Sequence, residues 1–437
     1  MSRSMLYRIR ERFSVPYDYP VVFTRCVFAP EHRLLRDLLC ADGRAAGPLR
    51  IAVCVDSGLA AARPGLLEDI RRWMHAHHPR VVAAGAIQPV PGGEQAKKHL
   101  RTTLRLVEYF LQIGLCRHSF VLAIGGGAVL DAVGLAAALA HRGIRLIRMP
   151  TTTLAQADAG IGVKNGVNYR SAKNAIGTFA PPFAVVNDLD WLDSLSDADW
   201  MAGVAEAIKV AMVRDRRFFY QIAAWAERLR ARDGWAMEKV VRRCAQLHLE
   251  HIRRSGDPFE RGSARPLDFG HWAAHALESL TRYRIGHGQA VAFGIRLDTL
   301  YAWRQGWMAG EDAAAVFRLL DRCGFHPRPA MRLKPLANPD RLLAGLDRFR
   351  EHLGGELCVT FPRRIGEVFE VHAVDRRLMA QCLHELVADT GVPGVSSEPG
   401  AVEWRTPSLR SPPQRSRGSL VAPASRRRSS GRDRQDC

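Results

Sequence analysis

The stretch SFVLAIGGGAVLDAVGLAAALAHRG, residues 119–143, decides the fold. An apolar run leads into three consecutive glycines, Gly125, Gly126 and Gly127, and then into a long apolar segment with helical character. A strand that turns on glycine into a helix lets backbone N–H groups approach an anion, and the helix N-terminus adds partial positive charge. That combination suits a diphosphate, although it lacks the G-x-G-x-x-G spacing of the ordinary dinucleotide fingerprint. Taken alone, the same turn also serves as a tight strand–helix connection with no ligand.

Working outward, RIAVCVDSGLA (50–60) reads as a strand ending at Asp56, and RVVAAGAIQPV (80–90) as a second. PGGEQAKKHLRTTLRLVEYFLQIG (91–114) turns into an amphipathic helix, IRLIRMPTTTLAQADAG (144–160) is a strand with a polar end, and AVVNDLDWL (184–192) is the last strand. Strand–helix alternation at this spacing predicts a mostly parallel sheet with helices on both faces. After about residue 193 helical periodicity takes over, with a short extended piece near GGELCVTFPRRIGEVFEV (354–371). The expected fold is an α/β N-terminal Rossmann-like parallel-sheet domain plus an all-helical C-terminal domain, with the ligand cleft between them. The expected limits are an N-terminal segment at 1–49 packing on the first domain, the α/β domain at 50–192, the helical domain at 193–390 and a disordered basic tail at 391–437.

Composition narrows the function. The 437 residues are 47% hydrophobic, enough for a large core. No run reaches the roughly 18 apolar residues of a membrane span, and the first residues lack the apolar core of a secretory signal, so a cytoplasmic location without membrane contact is expected. Nine cysteines occur without a C-x-x-C pair, which argues against a disulfide framework or a thiolate zinc site. The net charge is +19, but nine Arg lie beyond residue 400, and the remainder shows no stripe interleaved with aromatics. Nucleic acid is therefore not expected, and a phosphorylated small molecule is favoured as the anionic partner. Only seven of the 63 basic residues are Lys, at 97, 98, 164, 173, 209, 239 and 334. A lysine in an arginine-rich chain hints at a site that wants a compact ammonium.

Several segments carry chemistry. Glu94 and Lys97 stand one helical turn apart, suited to a ribose hydroxyl and a phosphate, or to a surface ion pair. PTTTLAQADAGIGVKNGVNYRSAKNAIGTF (150–179) gathers threonines, Asp158, Lys164, Asn168, Lys173 and Asn174 in a long connection between strands. In LDFGHWAAHALE (267–278), His271 and His275 share one helix face. Such a pair also occurs buried or capped without any metal. With His287 in RIGHGQAV and Glu206 in GVAEAIK, two imidazoles and a carboxylate make a catalytic divalent-metal set. Spacing does not choose which two histidines bind.

The ordered set GGGAVLD, MPTTTLAQAD, GVKNGVN, AKNAIGTF, GVAEAIK, FGHWAAH and HGQAV resembles dehydroquinate synthase and its sugar-phosphate cyclase relatives over about residues 50–375. The resemblance implies metal ligands Glu206, His271 and His287, leaving His275 as a proton relay. It implies NAD contacts from Asp56, Glu94, Lys97, Gly125, Gly126, Gly127, Asp131, Thr151, Thr152 and Ser194. Asp158, Lys164, Lys173, Asn174 and Lys209 would line the cofactor–substrate boundary, and Arg142 matches the position that reaches the substrate phosphate. It further implies NAD, one zinc or cobalt ion, a homodimer, and a carbon–oxygen lyase reaction that eliminates phosphate from a heptulose-type substrate to form a carbocycle. Asp268 stands where dehydroquinate synthase has Asn, as in sedoheptulose 7-phosphate cyclases. The late lysine pair is replaced by Arg350 and His352, and the basic residue ahead of Asp268 by His251, Arg253, Arg254 or Arg265. The segment SGDPFERGSARPLDFGHWAAH resembles a divergent branch from bacterial gene clusters of the Ebo type. The alternatives are an NAD-dependent polyol dehydrogenase of the same superfold and a non-catalytic binding or scaffold homologue.

Overall fold

A computed structural model describes residues 8–41, 47–170, 172–254, 259, 266–326, 338–352 and 355–387. Seven parallel strands form the sheet: β1 (Val21–Thr24), β2 (Leu49–Asp56), β3 (Val81–Ala83), β4 (Gln88–Val90), β5 (Phe120–Gly125), β6 (Arg145–Pro150) and β9 (Ala184–Asp188). Their order is β1-β9-β6-β5-β2-β3, with β4 also paired to β2. Every residue of β5 is buried, as expected of a central strand covered on both faces. Its flanking helices are α1 (Leu34–Cys40), α2 (Ser57–Ala62), α3 (Leu66–Ala76), α4 (Leu100–Gln112) and α5 (Gly127–Leu139).

Three details depart from the sequence expectation. Residues 80–90 give two short strands that pair with β2 at Leu49–Ile51 and at Cys54–Asp56, because the chain breaks from the ladder around Gly85. A Cβ on Gly85 would lie 2.4 Å from the Tyr109 hydroxyl, so the backbone there rests against α4. The N-terminal segment contributes an edge strand, β1, which extends the sheet parallel to β9. The long polar connection is a wide helical turn, Ala155–Ala159, followed by an antiparallel hairpin of β7 (Lys164–Tyr169) and β8 (Ala172–Phe179).

The helical half comprises α6 (Asp197–Arg214), α7 (Arg216–Arg230), α8 (Gly234–Arg254), α9 (His271–Leu280), α10 (His287–Arg304), α11 (Gly310–Arg322), α12 (Pro339–His352) and α13 (Arg376–Val387). The extended piece is a hairpin of β10 (Val359–Arg364) and β11 (Glu367–Val371), so this half is not wholly helical. Helix α6 has apolar residues nearly all round and runs through the middle of the helical core. Thr153 ties it to the sheet: its hydroxyl donates to the Asp199 carbonyl at 2.8 Å and accepts from the Gly203 amide at 3.1 Å. A Cβ on Gly203 would meet the Thr153 backbone carbon at 2.6 Å, so glycine permits this approach. No described helix is long and apolar enough to cross a membrane. The tail expected at 391–437 lies outside the described residues.

Candidate metal and dinucleotide centre

Strands β2, β5 and β6 end side by side at Asp56, Gly125 and Pro150. The chain leaves β2 for β3 and β4 on one side and returns to β5 on the other, so the glycine turn sits at a topological switch point. Open parallel sheets bind ligands there. A Cβ on Gly125 would touch the Asp56 Cβ at 3.1 Å, and one on Gly127 would reach the Ala159 Cβ at 3.1 Å. Helix α5 is capped by Gly126 without any side-chain hydrogen bond, which leaves its first N–H groups facing outward. This bare, glycine-lined helix start fits a dinucleotide diphosphate.

The other sequence candidates of this side gather around the turn in pairs. The Lys97 ammonium lies 2.6 Å from the Asp131 carboxylate, and the Asn168 amide donates to Glu94 at 3.2 Å. The Thr151 amide donates to the Gly125 carbonyl at 3.1 Å, and the Thr152 hydroxyl accepts from the Ala155 amide at 3.1 Å. The Asp56 carboxylate caps α2 through the Gly58 amide at 2.8 Å. Ser194 donates to the Trp191 carbonyl at 2.8 Å, inside the short turn before α6.

The metal candidates converge from three helices. Glu206 is fully buried in α6, and its Oε1 lies 3.1 Å from His287 Nε2 and 3.4 Å from His271 Nε2. One ligand atom from each of the three falls within 4.8 Å of the others. Two glycine contacts allow this: a Cβ on Gly288 would lie 2.4 Å from the Ala202 Cα, and one on Gly294 would lie 1.9 Å from the Gly270 oxygen. The far nitrogen of each imidazole is engaged, His271 Nδ1 donating to the Phe269 carbonyl and His287 Nδ1 to Glu278, both at 3.2 Å. Each ring therefore turns Nε2 toward the centre, as a metal-binding imidazole requires.

The electrostatics keep Glu206 ionised at this point. Burial opposes the charge on Glu206, but Lys209 and His271 outweigh it and hold the carboxyl well below its usual range. Burial likewise works against the charged His287 ring, yet its bonds to Glu206 and Glu278 raise it to about 9. The donor set fits one divalent ion. His275 lies one turn beyond His271, with ring centroids 5.4 Å apart, and is not part of the triad. Burial, followed by His271 and Lys173, lowers its ring to about 3 and leaves it a neutral proton acceptor.

Lys209 lies 2.6 Å from Glu206 and 3.8 Å from Asp158, and burial against its charge is outweighed by these carboxylates, with Asp268 adding to the pull. Asp158 in turn contacts His248 Nδ1 at 2.7 Å. Lys164 opens β7 and is exposed, and its carbonyl accepts from Arg148. Lys173 lies 2.9 Å from Glu278. Asn174 is exposed on β8, and its backbone amide donates to the Asn168 side-chain oxygen at 2.9 Å.

Some candidates are not brought here. Arg142 sits at the amino-terminal edge of the sheet, lining a surface hollow with Cys116, Arg117 and His141. Gly125 ends the same strand that Phe120 begins, about 17 Å away at 3.3 Å per residue. Within one chain Arg142 does not reach the centre. Arg350 is exposed on α12, where its nearest carboxylate is Asp347 at 4.0 Å. The His352 side chain and Arg265 lie outside the described residues. His251 pairs with Arg214 yet lies close enough to His248, Lys164 and Lys209 to feel their charges, whereas Arg253 and Arg254 are exposed.

Sequence reasoning missed three contributors. His248 is the basic residue of α8 that faces the site, one helical turn before His251. Glu278 was visible only as the acidic end of a histidine motif. Arg148 is fully buried in β6, where its guanidinium donates to the carbonyls of Gly160 and Gly162 and to the Asn165 side chain, at 3.4, 3.2 and 2.7 Å. It thereby holds the segment between Asp158 and Lys164. An arginine inside a strand gives no hint that its partners are carbonyls.

Known proteins resemble this chain in sequence and fold. The 3-dehydroquinate synthase N-terminal family profile matches residues 87–202, and the C-terminal profile matches residues 203–339. A 3-dehydroquinate synthase of Solibacter usitatus is 35% identical over 321 residues, spanning 72% of this chain and 88% of that one. A 2-epi-valiolone synthase of Actinosynnema mirum is 35% identical over 278 residues, spanning 63% of this chain and 72% of that one. The solved structure of 2-epi-5-epi-valiolone synthase from Streptomyces hygroscopicus, with NAD+ and Zn2+ bound, matches at a TM-score of 0.74 and 29% identity over 87% of this chain and 99% of that one. With a glycine turn at the sheet's switch point and a Glu–His–His centre beneath it, this chain belongs to the 3-dehydroquinate synthase family of NAD- and metal-dependent sugar-phosphate cyclases.

Proposed function

We propose that the chain converts a heptulose-type sugar phosphate to a carbocycle with elimination of phosphate, as a carbon–oxygen lyase. The observation that carries this reading is the convergence of Glu206, His271 and His287 within 4.8 Å beside the Lys209 ammonium. When bound, NAD+ supplies a reversible hydride acceptor and the divalent ion a Lewis acid for vicinal oxygens. Gly125, Gly126 and Gly127 with the start of α5 would hold the NAD+ diphosphate, with Lys97 and Asp131 alongside. Lys209 neutralises an oxyanion as it forms, and neutral His275 takes a hydroxyl proton and returns it. Lys164, exposed where β7 begins, binds the anionic leaving group, whose C–O electron pair departs with the phosphate.

Asp268 near Lys209 supports a ketose phosphate whose reacting end carries hydroxyls. The position of Arg142 supports a homodimer in which each copy's Arg142 reaches the phosphate held by the other copy. The absence of any span-forming helix among the described residues accords with a cytoplasmic location.

The test incubates the purified chain with a panel of C7 ketose and ketonate phosphates and follows inorganic phosphate, NADH absorbance and product mass. The expected result is phosphate release matched by a carbocycle, with no net NADH. Glu206→Ala is expected to abolish metal retention and turnover, and removal of residues 395–437 to preserve both. NADH accumulating without phosphate release would instead establish a polyol dehydrogenase. Metal-free, inert protein would establish a scaffold.

A further inference from the structure

We propose that Glu278 is a positioning residue that couples the metal centre to the dinucleotide side through Lys173. This rests on the metal reading of Glu206, His271 and His287. Glu278 lies in the last turns of α9 with its side chain only 4% exposed, and both its oxygens are used. Oε1 accepts from His287 Nδ1 at 3.2 Å, and Oε2 lies 2.9 Å from the Lys173 ammonium. Lys173 belongs to β8, the hairpin that grows from the sheet half, and its ammonium also lies over the Tyr283 ring at 5.3 Å. One buried carboxylate thus spans a metal-facing imidazole and a lysine of the other half.

The consequence for His287 follows from its chemistry. With a cation bound the imidazole would be neutral and carry one N–H, which Glu278 accepts at Nδ1, so that Nε2, which lies 3.1 Å from Glu206 Oε1, would be the atom that holds the cation. Glu278 fixes both the tautomer and the ring angle. Lys173 fixes Glu278 in turn, because a carboxylate held at both oxygens has no rotational freedom. A glutamine in its place offers an acceptor to only one of the two partners and turns its amide N–H groups toward the other.

The test uses the full chain stripped of metal by a chelator, with Co2+ titrated and followed by its visible absorption. Glu278→Gln is expected to weaken Co2+ binding about 10- to 100-fold. Lys173→Met is expected to weaken it severalfold in the unmodified background and not at all in the Glu278→Gln background, since coupled residues are non-additive. Circular dichroism and Tm identify folded variants, and Lys173→Met carries the test if Glu278→Gln does not fold. A purely structural Glu278 would lower Tm and leave Co2+ affinity and its absorption band unchanged, which overturns the proposal. Additive effects of the two substitutions overturn the link to Lys173. Failure of the unmodified chain to bind Co2+ would sink the metal reading itself, whereas tight binding by both it and Glu278→Gln sinks only the coupling.

Discussion

Gly270 and Gly294 meet backbone to backbone: a Cβ on Gly294 would lie 1.9 Å from the Gly270 carbonyl oxygen, and one on Gly270 would lie 2.8 Å from the Ile295 amide nitrogen. This contact sets the distance between the start of α9, where His271 sits, and α10, which His287 begins. Gly270 also adopts a left-handed φ of +76°, which glycine tolerates without strain. Gly294→Ala is expected to push the helices apart, costing about 1–3 kcal/mol of stability, and to weaken metal binding at least about tenfold. Gly85→Ala meets the Tyr109 hydroxyl at 2.4 Å at the sheet edge, so it should lower stability without touching metal affinity. Thermal denaturation and Co2+ titration of both variants decide the matter. Equal metal affinity in the two would show that the glycine contact does not define the site.

The Lys97–Asp131 pair, 2.6 Å apart with side chains 8% and 17% exposed, is a largely buried ion pair. Removing one partner strands the other charge, which costs about 3–5 kcal/mol in comparable cases. Lys97→Met should therefore destabilise the chain, and Lys97→Met with Asp131→Leu should recover much of the loss. Urea denaturation reads the stability. NAD+ titration should show weak binding in both variants, because restored packing does not restore the ammonium.

Asp298 anchors both flanks of His271: its carboxylate accepts from the Gly270 amide at 3.0 Å and from Trp272 Nε1 at 2.9 Å. Burial pushes its carboxyl up to about 7, against 3.8 for an ordinary aspartate. Between those values the folded chain keeps a proton that the unfolded chain has lost, so stability from this group falls as pH rises and levels off above 7. Integrated over the window, the effect is on the order of 4 kcal/mol. Asp298→Asn cannot titrate. The difference in unfolding free energy between the unmodified chain and Asp298→Asn should slope downward from pH 4 to 7, and a flat difference would contradict the assignment.

The sheet was legible from its apolar strands and the glycine turn because local pattern and tertiary role agree there. Thr151, Lys97, Asp131 and the glycines gather at one end for the same reason. The β7–β8 hairpin was not legible, since KNGVNY and AKNAIGTF mix glycines, polar residues and single apolar residues with no strict apolar–polar alternation to mark a strand. β1 was missed because four partly buried residues form a strand only when β9 is beside them. Glu206, His271 and His287 could be named from motifs, but their meeting depends on Gly288 and Gly294, whose role appears only when helices cross. His248 stayed hidden for a similar reason: on α8 it is one of several basic residues, and only Asp158, 90 positions earlier, singles it out.

Arg142 offers the sharpest test of assembly. It stands at the opposite end of β5 from Gly125, so under the proposed function a second copy would have to bring it to a phosphate beside Lys164. In a two-fold dimer of that kind, the Arg142→Ala and Glu206→Ala variants should each be inactive alone. Mixed after dissociation and reassociated, half the dimers pair one variant with the other. In each such dimer one site combines an intact Glu206 with the partner's intact arginine, while the other site has neither. Phosphate release should therefore return to about a quarter of the unmodified rate. Activity that stays at zero on mixing, in a sample shown by native mass spectrometry to contain the mixed dimer, would show that Arg142 has no part in the neighbouring site.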